Sequence, residues 1–473
     1  MSIDREYFGL FMEMRTGKTK TIIDTACALA LAGSLNALVV VAPKGVFRTW
    51  TTDQLPTHLW PSVNARVETW RAGAGVKLMK RYNDLIGHKG LAVFVVNIES
   101  IDTKKCEAFL SGFLKSRRAL LAVDESACIK NPQANCTKAA LRLAALAPYR
   151  RILTGTPVTQ GPLDLYSQLE FLKPGASGMR SFYAFKSMYA IEVRTNIRVP
   201  GAFDKAGNPR MRTFNKTVGY RNAERLKTRL DALSFTVKLA DVRADLPPKI
   251  YQTVEVPLTE GHANIYKYLA KHCVMKLEGE VVVSAPMALT LLTKLHQCAT
   301  GFVIQDDGRT LDLSGERVQA LMDLITRCPG KAVVFAAHQH SIESIGAALR
   351  MTYGQESTVL YYGPTPEGER DVARYRFQHE TQCRFFVGTQ ATAGEALDLS
   401  AANVVVYYSN TFSLRHRLQS EARPMGPAQH DPVLVVDLVA PSTVDVKIVD
   451  ALKTKQSIAD QLTGAGWRSF LEN

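Results

Sequence analysis

The sequence lacks the groupings that a metal centre or a disulfide framework would need. Its eight cysteines, at positions 27, 106, 128, 136, 273, 298, 328 and 383, form no C-x-x-C pair and no cluster with histidine at metal-ligand spacing. They read as reduced, buried small hydrophobes. No run approaches the roughly 20 consecutive apolar residues of a membrane span. The opening Asp4, Arg5 and Glu6 do not make a signal peptide. A membrane partner is thereby excluded, and a soluble, cytoplasmic protein is expected. The sequence shows no internal repeats, low-complexity tracts or coiled-coil heptads. No convincing Asp…Glu-x-Lys nuclease constellation occurs. Acidic charge is also scarce: 58 Lys and Arg face 44 Asp and Glu, for a net charge of +14. Such a surplus points either to a polyanionic partner such as nucleic acid or to a basic but inert surface, and charge alone leaves the two even.

What is present is a globular pattern, 46% hydrophobic over 473 residues, too long for one core. Short apolar runs at 36–42, 91–96, 119–123 and 151–153 alternate with segments long enough for crossover helices. A second set lies at 332–335, 358–361, 384–387, 404–408 and 433–438. Each set implies a parallel sheet with helices on both faces. Between them, 167–245 is rich in aromatic and basic residues and is expected to be a largely helical insertion without regular strands. Asp245-Leu-Pro-Pro-Lys249 reads as a rigid linker, because consecutive prolines cannot continue a helix or a central strand. The expected division is 1–166, 167–245 and 246–473.

Three strand ends carry chemistry. Phe8-Gly-Leu-Phe-Met-Glu-Met-Arg-Thr-Gly-Lys-Thr19 runs from a strand through a tight turn into a helix, a phosphate-binding arrangement in which the helix's free N–H groups and positive dipole end face the turn. Lys18 would reach the β and γ phosphates and Thr19 a Mg2+ ion. The loop departs from the G-x-x-x-x-G-K-[ST] pattern, with Met12 where the first glycine would stand and Arg15 adding a cation. Ala119-Leu-Leu-Ala-Val-Asp-Glu-Ser-Ala127 ends a strand in adjacent acids, at the face where ligands of parallel sheets bind. Asp124 can hold Mg2+ while Glu125 orients and deprotonates a water. Arg150-Arg-Ile-Leu-Thr-Gly-Thr-Pro157 ends a third strand in small hydroxyl residues. Each alone is an ordinary capped or solvated turn.

In series they resemble a known group. Met12 to Thr19, Val41-Ala-Pro-Lys-Gly-Val-Phe-Arg-Thr-Trp50, Asp124-Glu-Ser-Ala127 with Ile129-Lys-Asn131, and Leu153 to Pro157 occur in the order found in superfamily 2 helicase-type ATPases of the SWI2/SNF2 group, compact phage and bacterial members above all. Asp245 to Lys249, Tyr362-Gly-Pro-Thr365 with Arg370, Gly388-Thr-Gln390 through Gly394 to Asp398, and Gln419-Ser-Glu-Ala-Arg423 continue the order. The resemblance implies an α/β fold of two RecA-like lobes, each a parallel sheet flanked by helices, that close on ATP. It places the helical, basic insertion at the lobe junction, and double-stranded DNA across both lobes. Thr16, Gly17, Lys18, Thr19, Gly394 and Asp398 would line the nucleotide, and Thr19 and Asp124 its Mg2+. Lys18, Asp124, Glu125, Gln419 and Arg423 would carry catalysis. Pro43, Lys44, Arg48 and Thr389 would meet the DNA backbone. The source implied is a prokaryote or a phage-infected host cell.

The departures from that group fall in both lobes, and the most consequential is in the far one. The second arginine expected three residues after Arg423 is replaced by Gly426, so Arg423 acts alone, Arg415 or Arg417 substitutes, or hydrolysis is impaired. Ala127, Ala393 and Ala396 also replace residues usual in the group. The chain begins at its first strand, so the upstream glutamine that reads adenine is expected to be missing. The resemblance implies a DNA-stimulated ATPase that translocates on duplex DNA or remodels a DNA-bound complex. Its rivals are a hydrolysis-impaired module that grips DNA and recruits a protein partner, and an NTPase subunit of a restriction or defence assembly. His296 and Trp50, Trp60, Trp70 and Trp467 read as packing residues, with Trp50 able to brace its motif.

Overall fold

A computed structural model describes residues 2–463 except 74, 204–208, 244, 279–284, 306, 394–396, 427 and 428. The chain divides into two compact units: Met1–Ile191, Gly219–Ala244 and Lys455–Asn473 form the first, Glu192–Val218 and Asp245–Thr454 the second.

The first unit is built on β1 (Tyr7–Met12), β2 (Ala37–Ala42), β3 (Ala65–Thr69), β4 (Leu91–Asn97), β5 (Ala119–Asp124) and β6 (Tyr149–Leu153). Two further strands, β7 (Ala190–Phe203) and β8 (Pro209–Tyr220), pair with each other and fall mostly in the second unit, while β9 (Ser234–Val237) joins the first unit's sheet. The order is β3-β4-β2-β5-β6-β1-β9, with every neighbouring pair parallel. Residues of β2 and β5 are buried throughout, as continuous Val, Leu and Ala runs in the centre of a doubly covered sheet must be. The helix Lys18–Leu31 packs Ile22, Ile23, Ala26 and Leu29 onto this sheet, in one core with Leu38, Val40, Trp50 and Leu153.

The second unit carries β10 (Lys249–Glu255), the small β11 (Phe302–Ile304) and β12 (Thr310–Asp312) ribbon, then β13 (Lys331–Phe335), β14 (Thr358–Tyr361), β15 (Phe385–Gly388), β16 (Ala402–Tyr407) and β17 (Val433–Val439). Its parallel sheet is ordered β10-β17-β16-β13-β15-β14. Val334, Ile345, Phe385, Val406 and Val436 form its core with Leu321 and Ile325 of the helix Glu316–Thr326.

All nine apolar runs anticipated in the sequence are strands, within one or two residues. The insertion differs from expectation. It keeps helices at Phe182–Tyr189 and Ala223–Leu233, but β7 and β8 form a long ribbon between them, and β9 joins the first sheet beside β1. The unforeseen β3, β9 and β10 are all sheet-edge strands, where one neighbour is missing and the demand for an apolar run is weakest. Among the described residues no helix is long and apolar enough to cross a membrane, and no disulfide is present.

Candidate functional site

Because β2, β5, β6 and β1 are adjacent, the turns after them meet at one face of the first sheet. After β1 the chain takes two left-handed steps, at Arg15 (φ 64°) and Gly17 (φ 90°), and enters the helix Lys18–Leu31. The loop is closed by its own groups. The Lys18 ammonium donates to the carbonyls of Met12 (2.7 Å) and Glu13 (2.9 Å), and Thr16 Oγ1 donates to Glu13 O (2.7 Å). No side chain caps the helix start, so its first-turn amides and dipole end face the loop. From the neighbouring edge, β9 holds the loop by Glu13 N to Val237 O (2.9 Å), and Glu13 Oε2 accepts from Leu239 N (2.8 Å). The insertion thus returns to buttress the loop, a contact with no signal in the sequence.

Asp124 ends β5 and is buried, as is Glu125. Both Asp124 oxygens are engaged: Oδ2 accepts the indole N–H of Trp50 at 2.7 Å and Oδ1 the backbone N–H of Glu125 at 2.9 Å. Burial first, and the adjacent Glu125 second, push the Asp124 carboxyl up to about 6, against the Trp50 hydrogen bond and the charge of Lys18. Glu125 sits in the left-handed region (φ 51°, ψ 55°), a conformation costing a non-glycine residue about 1–2 kcal/mol. It turns the side chain toward β6, where Thr154 Oγ1 makes a long contact to Glu125 Oε2 (3.4 Å) while accepting from Thr156 N (3.0 Å). Ser126 is fixed by Gln168 (2.7 Å), whose amide donates to Pro157 O and Asp164 O, both at 2.8 Å. Gly155 lies against the phosphate loop so closely that a Cβ there would stand 3.3 Å from Met12 O.

After β2, Pro43 is buried and starts the helix Lys44–Thr49, on which Lys44 and Arg48 are exposed one turn apart. Lys130 is a bracing residue, bonded to Thr159 Oγ1 at 2.6 Å and 3.8 Å from Asp164.

In the second unit, Thr389 caps the short helix Gln390–Ala393 and donates to Thr392 Oγ1 (2.7 Å). Asp398 is exposed, with Oδ1 accepting from Ser400 N (3.2 Å). Gly394, Ala396 and Trp467 lie outside the described residues. Arg370 binds the carbonyls of Tyr362, Gly363 and Thr365, closing its own motif's turn. Gln419 is buried on the helix Leu414–Glu421, and Arg423 follows it, half-buried, with a guanidinium N–H 3.4 Å from Leu397 O. Gly426 occupies a buried turn bonded to Pro424 and Gln429 through the backbone.

Arg417, one of the candidates to stand in for the missing arginine, is tied into a buried cluster of the second unit. Its guanidinium is buried among Asp437, Glu421 and Asn410 and lies 3.5 Å from the centre of the Tyr407 ring. Asn410 links this cluster to Gln390 of the Gly388-Thr-Gln390 motif (3.0 Å), and Gln390 Oε1 in turn accepts from Thr411. His296 is packed, but not among apolar groups alone: His338 is 3.1 Å from its Nδ1 and Asp445 3.7 Å from its Nε2. Among the described residues no group of three or more His, Cys, Asp or Glu could hold a metal by itself.

Residues 9–301 match the SNF2-related domain and 316–425 the helicase conserved C-terminal domain. A phage protein, p41 of Acyrthosiphon pisum secondary endosymbiont phage 1, is 24% identical over 98% of this chain and 95% of its own length. The SWI/SNF chromatin-remodeling complex subunit snf22 of Schizosaccharomyces pombe is 24% identical over 73% of this chain, which spans only 21% of snf22. The Sulfolobus solfataricus SWI2/SNF2 ATPase core in complex with dsDNA aligns over 98% of this chain and 91% of its own, at 22% identity and a TM-score of 0.40. With one family domain spanning more than half its length and a second following in order, the chain belongs to the SNF2 family of helicase-like proteins.

Proposed function

We propose that the protein is a DNA-stimulated ATP hydrolase that moves along double-stranded DNA or remodels complexes bound to it. The observation that supports this best is the convergence, at adjacent strand ends, of Lys18, Asp124, Glu125 and Thr154 beside an uncapped helix start. The donors suit a magnesium nucleotide. Thr19 and Asp124 offer a hydroxyl and a carboxylate, hard oxygens of the kind Mg2+ takes while keeping waters and phosphate oxygens as its other ligands. When bound, Mg2+ would neutralise charge on the phosphates. Lys18 would exchange its two loop carbonyls for phosphate oxygens, and the amides from Gly17 onward would face the same anion. Glu125, aimed by its left-handed backbone and by Thr154, would orient the attacking water and take its proton. Arg423 and Gln419 would supply charge and positioning from the second unit, with Thr16, Gly394 and Asp398 as further nucleotide contacts. Pro43, Lys44, Arg48 and Thr389 would follow the DNA backbone.

A second reading is favoured by one observation: at Gly426 the family's second arginine has no side chain to offer. On that reading the chain grips DNA and recruits a partner without turning over ATP. Steady-state hydrolysis with and without duplex DNA decides, set beside a Glu125→Gln variant. A DNA-stimulated rate well above the variant's supports the enzyme. A wild-type rate no higher than the variant's transfers the case to the binding module.

A further inference from the structure

The buried partner of Asp124 is carried by the same short segment that exposes Lys44 and Arg48. The helix Lys44–Thr49 runs directly into a π-helical turn, Trp50–Gln54, whose first residue is fully buried and donates its indole N–H to Asp124 Oδ2. Single π turns are costly irregularities that recur at functional sites. Here the register is visibly maintained by local chemistry. Leu55 N–H reaches back five residues to Trp50 O, Thr51 and Thr52 hydroxyls both donate to Arg48 O (3.0 and 3.1 Å), and Pro56 has no N–H with which to continue the ladder. Val46 and Phe47 of the helix pack on the core that holds Trp50, so the helix and the π turn share one set of apolar contacts. Lys44 and Arg48, at its outer face, thus lie within two turns of the indole on one continuous segment.

We infer that Trp50 is a positioning residue that transmits DNA contact at Lys44 and Arg48 to the Asp124 carboxylate through the π turn. The inference rests on the reading above that DNA phosphates meet Lys44 and Arg48 and that Asp124 serves the nucleotide's metal. With the indole seated, Asp124 Oδ2 is shared between Trp50 and any cation. A shift of the segment along the DNA backbone re-aims the indole and with it the carboxylate, which makes hydrolysis sensitive to DNA without the DNA touching the nucleotide.

The test uses the full chain with Trp50→Phe, which keeps an aromatic ring in the core and removes the donor. DNA affinity should stay within about twofold, since the phosphate contacts remain. The DNA-stimulated rate should fall by about tenfold or more while the DNA-free rate falls less than threefold, the scale set by losing one charge-assisted hydrogen bond. Equal losses in both rates, or none in either, overturn the inference. A second measurement needs neither nucleotide nor that variant. In a chain with Trp60→Phe, Trp70→Phe and Trp467→Phe, excited beyond tyrosine absorption, Trp50 is the one tryptophan, and duplex DNA should shift its emission. The shift should vanish when Lys44→Ala and Arg48→Ala are added. No shift on DNA binding overturns the inference, even should the wild type prove to have no ATPase activity and the enzyme reading fail on its own test.

Discussion

Replacing Arg417 by methionine tests whether the second unit's helix Leu414–Glu421 is held by charge rather than by apolar packing. Arg417 is 8% exposed, and its fork spans two carboxylates, Asp437 and Glu421, with Asn410 on a third edge and the Tyr407 ring beneath. Methionine fills much of the volume but leaves both carboxylates facing a thioether. Breaking a buried ion pair by removing one partner costs about 3–5 kcal/mol. The lower end applies here, because each acid keeps other donors: Asn410 Nδ2 to Asp437 Oδ1 at 2.7 Å, and Tyr251 Oη (2.9 Å) and Lys249 Nζ (3.5 Å) to Glu421. In a unit of this size about 3 kcal/mol lowers the melting temperature by roughly 6–12 °C, readable by calorimetry as a shift of one transition. Adding Asp437→Asn to Arg417→Met removes one of the two stranded charges and should restore about half of the loss, a coupling that a double-mutant cycle isolates. A single variant within about 1 kcal/mol of the wild type, or a double variant worse than the sum of the singles, would refute the assignment of Arg417 as a structural hub.

Three other outcomes are expected. Gly155→Val should disturb the phosphate loop, since a Cβ already meets Met12 O at 3.3 Å and Glu13 Cα at 3.4 Å; nucleotide affinity by equilibrium binding should fall while duplex affinity holds. The doubly substituted Lys44→Ala, Arg48→Ala chain should bind duplex with a salt slope shallower by about 2, one unit per lost phosphate contact, and an unchanged slope would remove both residues from the interface. The second unit should lose stability in mild acid. Burial first, then His296, holds the His338 imidazole down to about 3, with Asp445 opposing; Arg317 also bears on the pair through His296. A histidine lowered in the folded state is stabilising above its unfolded pKa near 6.5, where both states are neutral. Below that the unfolded chain takes up a proton that the native chain refuses. Between pH 6.5 and 5 the loss should approach about 2 kcal/mol, and a His338→Phe chain should show a flatter pH profile over the same range.

Strand ends were readable because their chemistry is local. In a parallel sheet the residue that closes each buried strand faces the ligand side whatever its neighbours are, so Lys18, Asp124 and Thr154 could be found one motif at a time and the fold then brought them together. Pairings were not readable. Trp50 and Asp124 are 74 residues apart, and no spacing rule joins an indole to a carboxylate across that distance. Edge strands were missed for the same physical reason in three places. β10 is exposed at most of its positions, β3 is polar at alternate ones, and β9 has four residues, so none presents the buried run that marks a central strand. The β7 and β8 ribbon pairs only with itself and is bound by no sheet's demand for apolar residues.

Arg417 and Arg423 show how far residue type can carry an argument about catalysis. They stand six residues apart in one basic stretch, and by sequence either could reach a phosphate. The fold separates them by the company each keeps. Arg417 has two carboxylates, an amide and an aromatic face, so drawing it out would strand two buried negative charges, at a cost of several kcal/mol. Arg423 is half-buried beyond the helix end, with a guanidinium N–H 3.4 Å from the Leu397 carbonyl, near the limit of a hydrogen bond. If one of the two arginines serves a phosphate, the cost of stranding Asp437 and Glu421 weighs against Arg417, whose part is to hold the helix that leads to Arg423.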